Sequence, residues 1–354
     1  MKTRTFSILF VVLVTVCLTA GTALAGVSEP TLTVTLSGTT VTVSWTSVAS
    51  ATGYTLNYAP SPYTGPDSIV SVDMGTQTGI SVNLWEGAAF YVAVQAYDSV
   101  ESSGYSNIGY FVIYPSYTNG LGQIFVLLPA GTFTMGSPSN EPGRDSDETQ
   151  HQVTLTQPFY MQITEVTQAQ WETVMGSNPS YFTGCSTCPV EQVSWNDVQS
   201  YITQMNLRGE GTYSLPTEAQ WEYAARAGSG TAFANGGIVH YSNMNECNDD
   251  ANMNMIGWYC YNSGSTTHAV GQKSSNAWGL YDMSGNVAEW CQDLYGSYPS
   301  SAVTDPTGPS SGSSRVLRGG NWITVARISR SACRGHNGPG SRLNIFGFRL
   351  LRQP

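Results

Sequence analysis

The stretch of residues 315–349 constrains the fold most, because it has the spacing of neither a helix nor a strand. It reads RVLRGGNWITVARISRSACRGHNGPGSRLNIFGFR, in which apolar, hydroxyl and cationic residues follow no period of 3.6 or 2. Gly319 and Gly320 permit a backbone geometry, or a close approach of another segment, that a Cβ would forbid. One interpretation is a loop-rich C-terminus held by its aromatic residues. The other is a functional surface, because loops carry binding residues disproportionately.

Composition limits the domain count and the class of partner. The 354 residues suffice for two or three domains at roughly 100–200 residues each. The formal net charge of −10 argues against nucleic acid and against an anionic membrane surface as partners, because both require a basic face. Only 11% of the residues are charged, against roughly 25% in ordinary soluble domains, and such a composition is common in exported proteins.

The N-terminus has the pattern of a secretory signal. Lys2 and Arg4 precede an apolar run over residues 6–20, and Ala23-Leu24-Ala25 gives a small-x-small cleavage site. We predict that residues 1–25 form a cleavable signal peptide and that the mature protein is secreted or lies in the cell envelope, periplasmic or extracellular. The alternative is a membrane anchor. The run is shorter than the ~20 residues of a membrane span, so we expect no transmembrane anchor after cleavage.

The cysteines indicate disulfides. Cleavage of the signal would remove Cys17 and leave an even number, which in an exported chain favours disulfide bonds. The remaining cysteines are Cys185, Cys188, Cys247, Cys260, Cys291 and Cys333. The CxxC spacing of the first two has no second CxxC, so a small loop bridge is favoured over a redox or zinc site. We predict Cys247–Cys260 as the second bridge and Cys291–Cys333 by elimination.

Residues 26–114 have the pattern of an all-β sandwich. Short alternating runs are separated by turn signals every 8–12 residues or so, which is typical of such folds. The predicted strands are 31–36, 40–45, 53–59, 69–72, 79–84, 90–99 and 109–113. Trp45 and the alternation of Tyr54, Leu56 and Tyr58 resemble a fibronectin type III domain. We expect a spacer or adhesion module without catalytic residues.

A polar linker, residues 115–122, is predicted before a second domain, residues 123–354. This domain opens with runs at 124–128 and 131–135, which we predict to pair across a turn at Pro129-Ala130-Gly131. The acidic, turn-rich segment 137–150 is most simply a solvated loop.

Three helix starts follow in the second domain. Thr167, Ser194 and Thr217 are N-cap candidates, and the last opens a capping box. Each helix carries a tryptophan that we assign to the core: Trp171, Trp195 and Trp221. Mixed short strands and helices with long irregular segments predict an irregular α+β domain.

Four motifs together resemble one family. They are PVEQVSWNDV at 189–198, LPTEAQWEYAAR at 215–226, GLYDMSGNVAEW at 279–290 and the stretch 315–349. In this order they resemble the formylglycine-generating enzyme, or sulfatase-modifying factor, family, over roughly two-thirds of the chain. The resemblance implies an α+β fold of the C-type-lectin-like type. It also implies, for active members, oxidation of a sulfatase cysteine to formylglycine with oxygen and copper(I).

The resemblance places the two copper-binding cysteine positions of the family on Thr324 and Ser329. Copper(I) is soft and takes thiolates, so two hydroxyl oxygens cannot replace them. Cys333 lies four residues beyond Ser329 and is a single thiol. We therefore predict no catalytic residues and no copper, and we keep an active formylglycine-generating oxidase or related protein-modifying enzyme as the alternative.

The resemblance also implies a structural calcium ion. Its ligands would be the side chains of Asp282 and Glu289 and the carbonyl oxygens of Gly285 and Val287, which suit a hard cation. An ordinary turn at this DxSGN sequence is the alternative. A second family site would involve Asn243.

We predict that the protein binds a protein or glycan ligand through the C-terminal stretch, because rigid aromatics anchor a ligand and small polar groups adapt to it. The predicted contacts are Trp322, Ile323, Thr324, Val325, Arg327, Ile328, Ser329, Arg330, Cys333, His336, Leu343 and Phe346. The fold resembles that of variable proteins made by diversity-generating retroelements. Positions such as Ile323 and Leu343 have residue types reachable from an asparagine codon by changes at adenine, which makes such diversification a hypothesis for this stretch.

Overall fold

The computed structural model describes residues 27–239 and 244–354, so the predicted signal peptide, 1–25, lies outside the described residues. Contacts divide the chain into two compact units. The first comprises the chain up to Thr35, with Thr42–Val82 and Phe90–Tyr110, and the second comprises Leu36–Val41, Asn83–Ala89 and Phe111–Pro354. Within the described part of the chain, no helix is both long and apolar enough to cross a membrane.

All seven strands predicted before residue 114 are confirmed. They are β1 Leu32–Ser37, β2 Thr40–Trp45, β3 Gly53–Pro60, β4 Val70–Gly75, β5 Gly79–Asn83, β6 Ala89–Tyr97 and β7 Gly109–Val112. They form a three-stranded sheet in the order β1-β2-β5 and a four-stranded sheet in the order β4-β3-β6-β7. The sheets meet through apolar side chains, since the rings of Trp45 and Tyr54 are 5.9 Å apart. Gly109 packs so closely that an added Cβ would lie 2.7 Å from both Leu32 and Val34.

The second unit has three sheets built from short strands. Their strands are β8 Ser116–Thr118, β9 Ile124–Leu128, β10 Gly131–Met135, β11 His151–Leu155, β12 Phe159–Gln162, β13 Tyr213–Ser214, β14 Ala288–Leu294, β15 Val303–Thr304, β16 Arg315–Arg318, β17 Gly335–Asn337, β18 Phe346–Gly347 and β19 Leu351–Arg352. The strand orders are β13-β19-β12-β9-β8, β17-β16-β14-β18 and β10-β11-β15. The domain is therefore β-rich, with few helices.

Two details of pairing differ from the sequence prediction. The predicted hairpin of β9 with β10 is wrong, because β9 pairs with β8 and β12 while β10 pairs with β11. Strand β8 lies inside the predicted linker 115–122. There the side chain of Asn119 accepts hydrogen bonds from the backbone N–H groups of Leu121 and Gln123, both at 3.0 Å. This closes a turn and makes 116–128 a hairpin, and three of the five β9 side chains are buried.

The three predicted helices begin at the predicted N-caps. They are α1 Gln168–Met175, α2 Trp195–Leu207 and α3 Glu218–Arg226, and each has a complete capping box. A box satisfies two backbone donors that a helix start otherwise leaves unpaired. The sequence analysis missed the short helix α4, Ala251–Ile256, whose N-cap is Asp250. Trp171 and Trp221 are buried as predicted, whereas Trp195 is half-buried beneath Arg315, with 3.8 Å from its ring to the guanidinium carbon.

A buried arginine corrects the expectation for the acidic segment 137–150. Arg330 donates to both carboxylate oxygens of Glu148, at 2.8 and 2.6 Å, to Glu141 at 2.7 Å and to the Gly143 carbonyl at 2.6 Å. The side chains of Arg330 and Glu148 are fully buried. The segment is therefore folded around a guanidinium group and is not a solvated loop.

Three further arginines of the C-terminal stretch are buried in the same way. Arg334 makes a two-pronged pair with Glu218 at 2.7 and 2.9 Å, and Arg349 makes one with Glu289 at 2.8 and 2.7 Å. Arg318 pairs with Glu222 and donates to the carbonyls of residues 331–333. The planar guanidinium group has five donors, so one side chain can satisfy a carboxylate and several loop carbonyls together.

Two of the three predicted disulfides are confirmed, Cys185–Cys188 and Cys247–Cys260. The predicted bridge between Cys291 and Cys333 is wrong, because both are free and buried. Cys291 packs on β14 within the apolar core, whereas Cys333 lies beside the Arg330–Glu148 pair. Burial raises the pKa of the Cys291 thiol well above its usual range and raises the pKa of Cys333 to about 11.

The free cysteines give a thiol count that can be measured. We expect protein that begins at Gly26 to show no thiol reactive toward a disulfide reagent in the native state, because both thiols are buried and protonated. After unfolding without reductant it should show two, and after full reduction six. A count of zero in the unfolded, unreduced protein would contradict the assignment of Cys291 and Cys333 as free.

The Arg330 network gives a stability prediction. Arg330→Met leaves the Glu148 carboxylate buried without its partner, so we expect the free energy of unfolding to fall by about 3–5 kcal/mol in urea titrations. The matched control is Arg342→Met, which removes an exposed guanidinium paired with Asp197 at 2.7 Å and should change stability little. An Arg330→Met loss no larger than that of the control would contradict the structural role.

Candidate functional site

The Gly319-Gly320 pair makes the turn that begins the site. Both glycines have positive φ, 92° and 70°, directly after β16. A Cβ on Gly319 would lie 3.1 Å from the Trp221 ring. A Cβ on Gly320 would collide with the Ser329 hydroxyl and lie 3.0 Å from the Thr324 hydroxyl. Both the backbone conformation and the space therefore require glycine here.

The side chains of Thr324 and Ser329 meet at Gly320. The Thr324 hydroxyl accepts a hydrogen bond from the Asn321 N–H at 2.9 Å and donates one to the Asn321 carbonyl at 2.9 Å. The Ser329 hydroxyl is buried and has no hydrogen-bond partner among the described residues. The two positions that the family resemblance singled out are thus brought together in space, and the atoms that meet there are hydroxyl oxygens.

Trp322 is held rigidly next to this turn. Its indole N–H donates to the Asn344 carbonyl at 2.9 Å, and its ring meets Phe182 edge-on with 5.3 Å between centroids. The Trp322 carbonyl in turn accepts from the Ser263 hydroxyl at 2.7 Å. Only 7% of the Trp322 surface is exposed, so this tryptophan supports the surface and contributes little of it.

Three large exposed side chains are next in the chain to Trp322 or to the two residues that hold its indole, Phe182 and Asn344. Ile323, which follows Trp322 in the chain, is 56% exposed, and Leu343, which precedes Asn344, is 43% exposed. Tyr181 is 64% exposed and packs edge-on against Phe182 at 5.0 Å. We call the exposed side chains of Tyr181, Ile323 and Leu343 the Trp322 face. Exposed apolar side chains on a fixed base are typical of a binding surface.

The predicted ligand contacts divide into three groups by burial. Ile323, His336 and Leu343 are exposed. Thr324, Val325, Arg327 and Ile328 are half-buried. Trp322, Ser329, Arg330, Cys333 and Phe346 are buried. The last group packs inward, as shown by the 5.2 Å between the rings of Phe346 and Trp290, and cannot form a displayed or diversified surface.

Arg327, a predicted ligand contact, is partly accessible, with a quarter of its side chain exposed. It lies in the 3-10 turn Ala326–Ser329 and pairs with Asp145 at 3.3 Å and Asn245 at 2.7 Å. Sequence reasoning missed Tyr181 altogether. The sequence does show two adjacent aromatic residues, Tyr181 and Phe182, in a turn-rich segment. An analysis of helix and strand periodicity gives no weight to such a pair.

A second group of interest is a buried carboxylate cluster. Glu289 is already occupied, since it accepts two hydrogen bonds from Arg349 and one from the Trp221 indole at 2.7 Å. Asp282 accepts from the Gly271 N–H at 2.6 Å through one oxygen. Among the described residues, its other oxygen and both oxygens of Glu165 have no hydrogen-bond partner, although all are buried.

The environment of these carboxylates favours a positive counter-charge. Burial, and then the charge of Asp282, raises the pKa of Glu165 well above its usual range. Burial raises the pKa of Asp282 to about 6, with the charge of Glu289 acting in the same direction. Buried carboxylate oxygens without partners are the donors that a hard cation such as calcium takes.

The backbone around Asp282 has the tight geometry that the sequence suggested. Asp282, Gly285 and Asn286 all have positive φ, at 55°, 89° and 57°. Glu165 was not predicted as part of this site, because it is 117 positions away from Asp282 and only the fold joins them. Asn243, the candidate of a second calcium site, lies outside the described residues, and nearby Asp250 caps α4.

Comparison with known proteins places this geometry in a family. Residues 115–354 match the sequence profile of the "Sulfatase-modifying factor enzyme 1-like domain". The formylglycine-generating enzyme of Streptomyces coelicolor is 34% identical over 199 residues, covering 51% of this chain and 57% of that protein. The chaperone protein LppX of Paenibacillus barcinonensis is 31% identical over 241 residues, and the match covers 53% of this chain and 78% of the length of LppX.

Solved structures show the same fold. Treponema denticola variable protein 1 has a TM-score of 0.59 and 30% identity, over 68% of this chain and 99% of that chain. PvdO from Pseudomonas aeruginosa has a TM-score of 0.58 and 27% identity, over 68% of this chain and 98% of that chain. The chain spans little more than half the length of the Streptomyces enzyme. Because the profile covers most of the chain, this protein belongs to the family of sulfatase-modifying factor enzyme 1-like domains.

Proposed function

We propose that this protein is an exported ligand-binding protein that recognises a protein or glycan on a formylglycine-generating-enzyme scaffold. The observation that carries the proposal is the Trp322 face, where Tyr181, Ile323 and Leu343 stand exposed on residues fixed by hydrogen bonds and ring contacts. Such a surface is ordered before binding, so association loses little conformational entropy. The similarity to a protein named as variable supports a binding role.

The chemistry at the Gly320 turn argues against the oxidase alternative. The resemblance puts the copper ligands at Thr324 and Ser329, whose oxygen atoms are hard donors. The next thiol along the chain, Cys333, has a pKa raised to about 11 by burial, so it is not a thiolate near neutral pH. The residues present therefore do not fit copper(I), and the proposed function uses no step through it.

The rest of the chain fits a displayed receptor. Residues 26–114 would form a fibronectin type III-like spacer or adhesion module, supported by the two packed sheets. A signal peptide at residues 1–25 would deliver the protein to the cell envelope or medium. The net charge of −10 disfavours nucleic acid as ligand.

The Trp322 face is testable by substitution. We expect Ile323→Asp and Leu343→Asp each to weaken binding by tenfold or more to ligands selected from a printed glycan array or a displayed peptide library, because each buries a charge in an apolar contact. Leu207→Asp is the matched control, since Leu207 is 75% exposed at the far end of α2 and should leave binding unchanged.

Two outcomes would contradict the proposal. The first is that selected ligands bind all three variants equally. The second is copper(I)-dependent conversion of cysteine to formylglycine in a CxPxR peptide by the unmodified protein, which would establish the oxidase alternative. A diversity-generating retroelement would be indicated by a neighbouring reverse-transcriptase gene and an adenine-substituted repeat of the 315–349 coding sequence.

A structural calcium ion is part of the same proposal. Asp282 would supply a carboxylate oxygen and Gly285 and Val287 their carbonyl oxygens, as the family resemblance implies. Glu289 would be a weaker contributor, because its oxygens already serve Arg349 and Trp221, and the unpartnered oxygens of Glu165 fit the remaining role. The ion would neutralise a cluster of three carboxylates that faces a single guanidinium group.

Calcium removal gives a direct test. We expect a chelator to lower the Tm and excess calcium to restore it by about 5–10 °C at a concentration of about 100 Kd. Glu165→Gln and Asp282→Ala should reduce or abolish this shift, and Glu172→Gln, which removes an exposed acid on α1 outside the cluster, should not. If no cation binds, Glu165→Gln would instead stabilise the protein and calcium would leave every Tm unchanged.

A further inference from the structure

A cavity of about 500 Å³ lies in the second unit, away from the residues of the Trp322 face. Its floor is formed by Asp293 at the end of β14, Glu218 at the start of α3, and Arg334. Most of the lining comes from the segment 296–309, and Ser297 is one of its exposed lining residues. A volume of this size is within the range of sites for small molecules, roughly 300–1,000 Å³.

The floor holds one neutralised and one unneutralised carboxylate. Both oxygens of Glu218 are bound by Arg334, and one also accepts from the Tyr298 hydroxyl at 2.9 Å. Asp293 accepts from the Glu218 backbone N–H at 2.9 Å. Among the residues that the structure describes, no cationic side chain lies within ion-pair distance of Asp293. Arg334 cannot turn to it without abandoning Glu218 and its stacking 3.7 Å above the Tyr298 ring.

The electrostatic surroundings of Asp293 are consistent with an absent positive partner. Burial, and then the charge of Glu218, raises the pKa of Asp293 to about 7, and Arg334 opposes this. Arg315 also acts on it from β16, and the protonated Cys291 thiol lies nearby on β14. A cation placed against Asp293 would restore its ionised state and remove the unfavourable burial of an unpaired acid.

The walls are rigid and largely apolar. Pro299, Pro306 and Pro309 contribute fixed rings, and Tyr298 and His151, with 4.9 Å between their rings, contribute aromatic edges.

Gly308 allows the proline-containing segment 296–309 to approach Asp293 closely. It has φ of 76°, and an added Cβ would lie 2.9 Å from the Asp293 Cβ. Among its described lining residues, the cavity therefore has one carboxylate without an ion-pair partner, Asp293, at its base, and flat, rigid sides.

We propose that this cavity binds a small organic cation, a primary amine carried on a ring, with Asp293 as its counter-ion and the proline and tyrosine side chains as its walls. The amine would donate to the Asp293 carboxylate, and the ring would stack between the walls. Two sources share this chemistry, an amino sugar and an aromatic or aliphatic ring amine. The inference is independent of the proposed ligand surface, because none of the cavity residues belongs to the Trp322 face.

Pairs of ligands that share a ring and differ in the amine show whether binding depends on the positive charge or on the ring. The full chain would be titrated with benzylamine and benzyl alcohol, and with D-glucosamine and D-glucose, followed by calorimetry and ligand-observed NMR. We expect one of the amines to bind at least about tenfold more tightly than its neutral twin. Which amine binds identifies the source. Equal binding of an amine and its neutral twin, or binding of neither amine, would overturn the proposal.

Variants test the role of Asp293. Asp293→Asn keeps the acceptor for the Glu218 N–H but removes the charge, and we expect it to weaken amine binding at least about tenfold while leaving the Tm close to that of the parent. Glu172→Gln, which removes an exposed acid on α1, should have no effect. Ser297→Trp adds a large ring at an exposed lining residue without changing the charge, and should abolish binding by filling the cavity. Unchanged amine affinity in both Asp293→Asn and Ser297→Trp would sink the assignment.

The pH dependence gives an independent readout. Because Asp293 must be ionised and the amine protonated, affinity for an amine that stays protonated over this range, such as benzylamine, should be about tenfold lower at pH 6 than at pH 8. The groups that face Asp293 are Glu218, Arg334, Arg315 and Cys291, and His151 also lines the cavity. The same titration on Asp293→Asn isolates their contribution. A pH profile that is identical in the variant and the parent would contradict the role of Asp293.

Discussion

The pairing of buried arginine with carboxylate is the interaction on which the second unit depends. Four guanidinium groups from one irregular segment, Arg318, Arg330, Arg334 and Arg349, each meet a glutamate contributed by another element. A loop cannot satisfy its own backbone carbonyls with hydrogen bonds as a helix does. A guanidinium group donates to a carboxylate and to several loop carbonyls at once, so it supplies the hydrogen bonds that regular secondary structure would otherwise make. With only 11% charged residues, the chain places many of its cations in the interior.

This construction separates the frame from the surface. The buried arginines, Phe346 and Trp322 hold the C-terminal stretch from below, and Ile323 and Leu343 are among the few side chains that remain exposed. Such side chains can change without disturbing the pairs beneath them. The family scaffold can therefore carry binding or chemistry, since activity depends on the few groups at the turn and not on the frame.

Local features could be predicted because they depend on neighbouring residues. The N-caps at Thr167, Ser194 and Thr217 are set by a side chain and a backbone donor three positions away. The seven strands of the first unit follow from alternation and turn residues. Pairing could not be predicted in the same way. Strand β9 pairs with β8 and with β12 instead of β10, and its pairing with β12 passes over two intervening strands of the chain, which spacing does not specify.

The sequence by itself determined the family, the helix starts, the first-unit strands and two short-range disulfides, all of which are encoded in local spacing or shared motifs. Only the tertiary structure decided which polar groups are paired. It buried Arg330 with Glu148, kept Cys291 apart from Cys333, and brought Glu165 to Asp282. The reason is physical: the cost of burying a charge depends on the groups that surround it in space, and sequence spacing does not specify those neighbours.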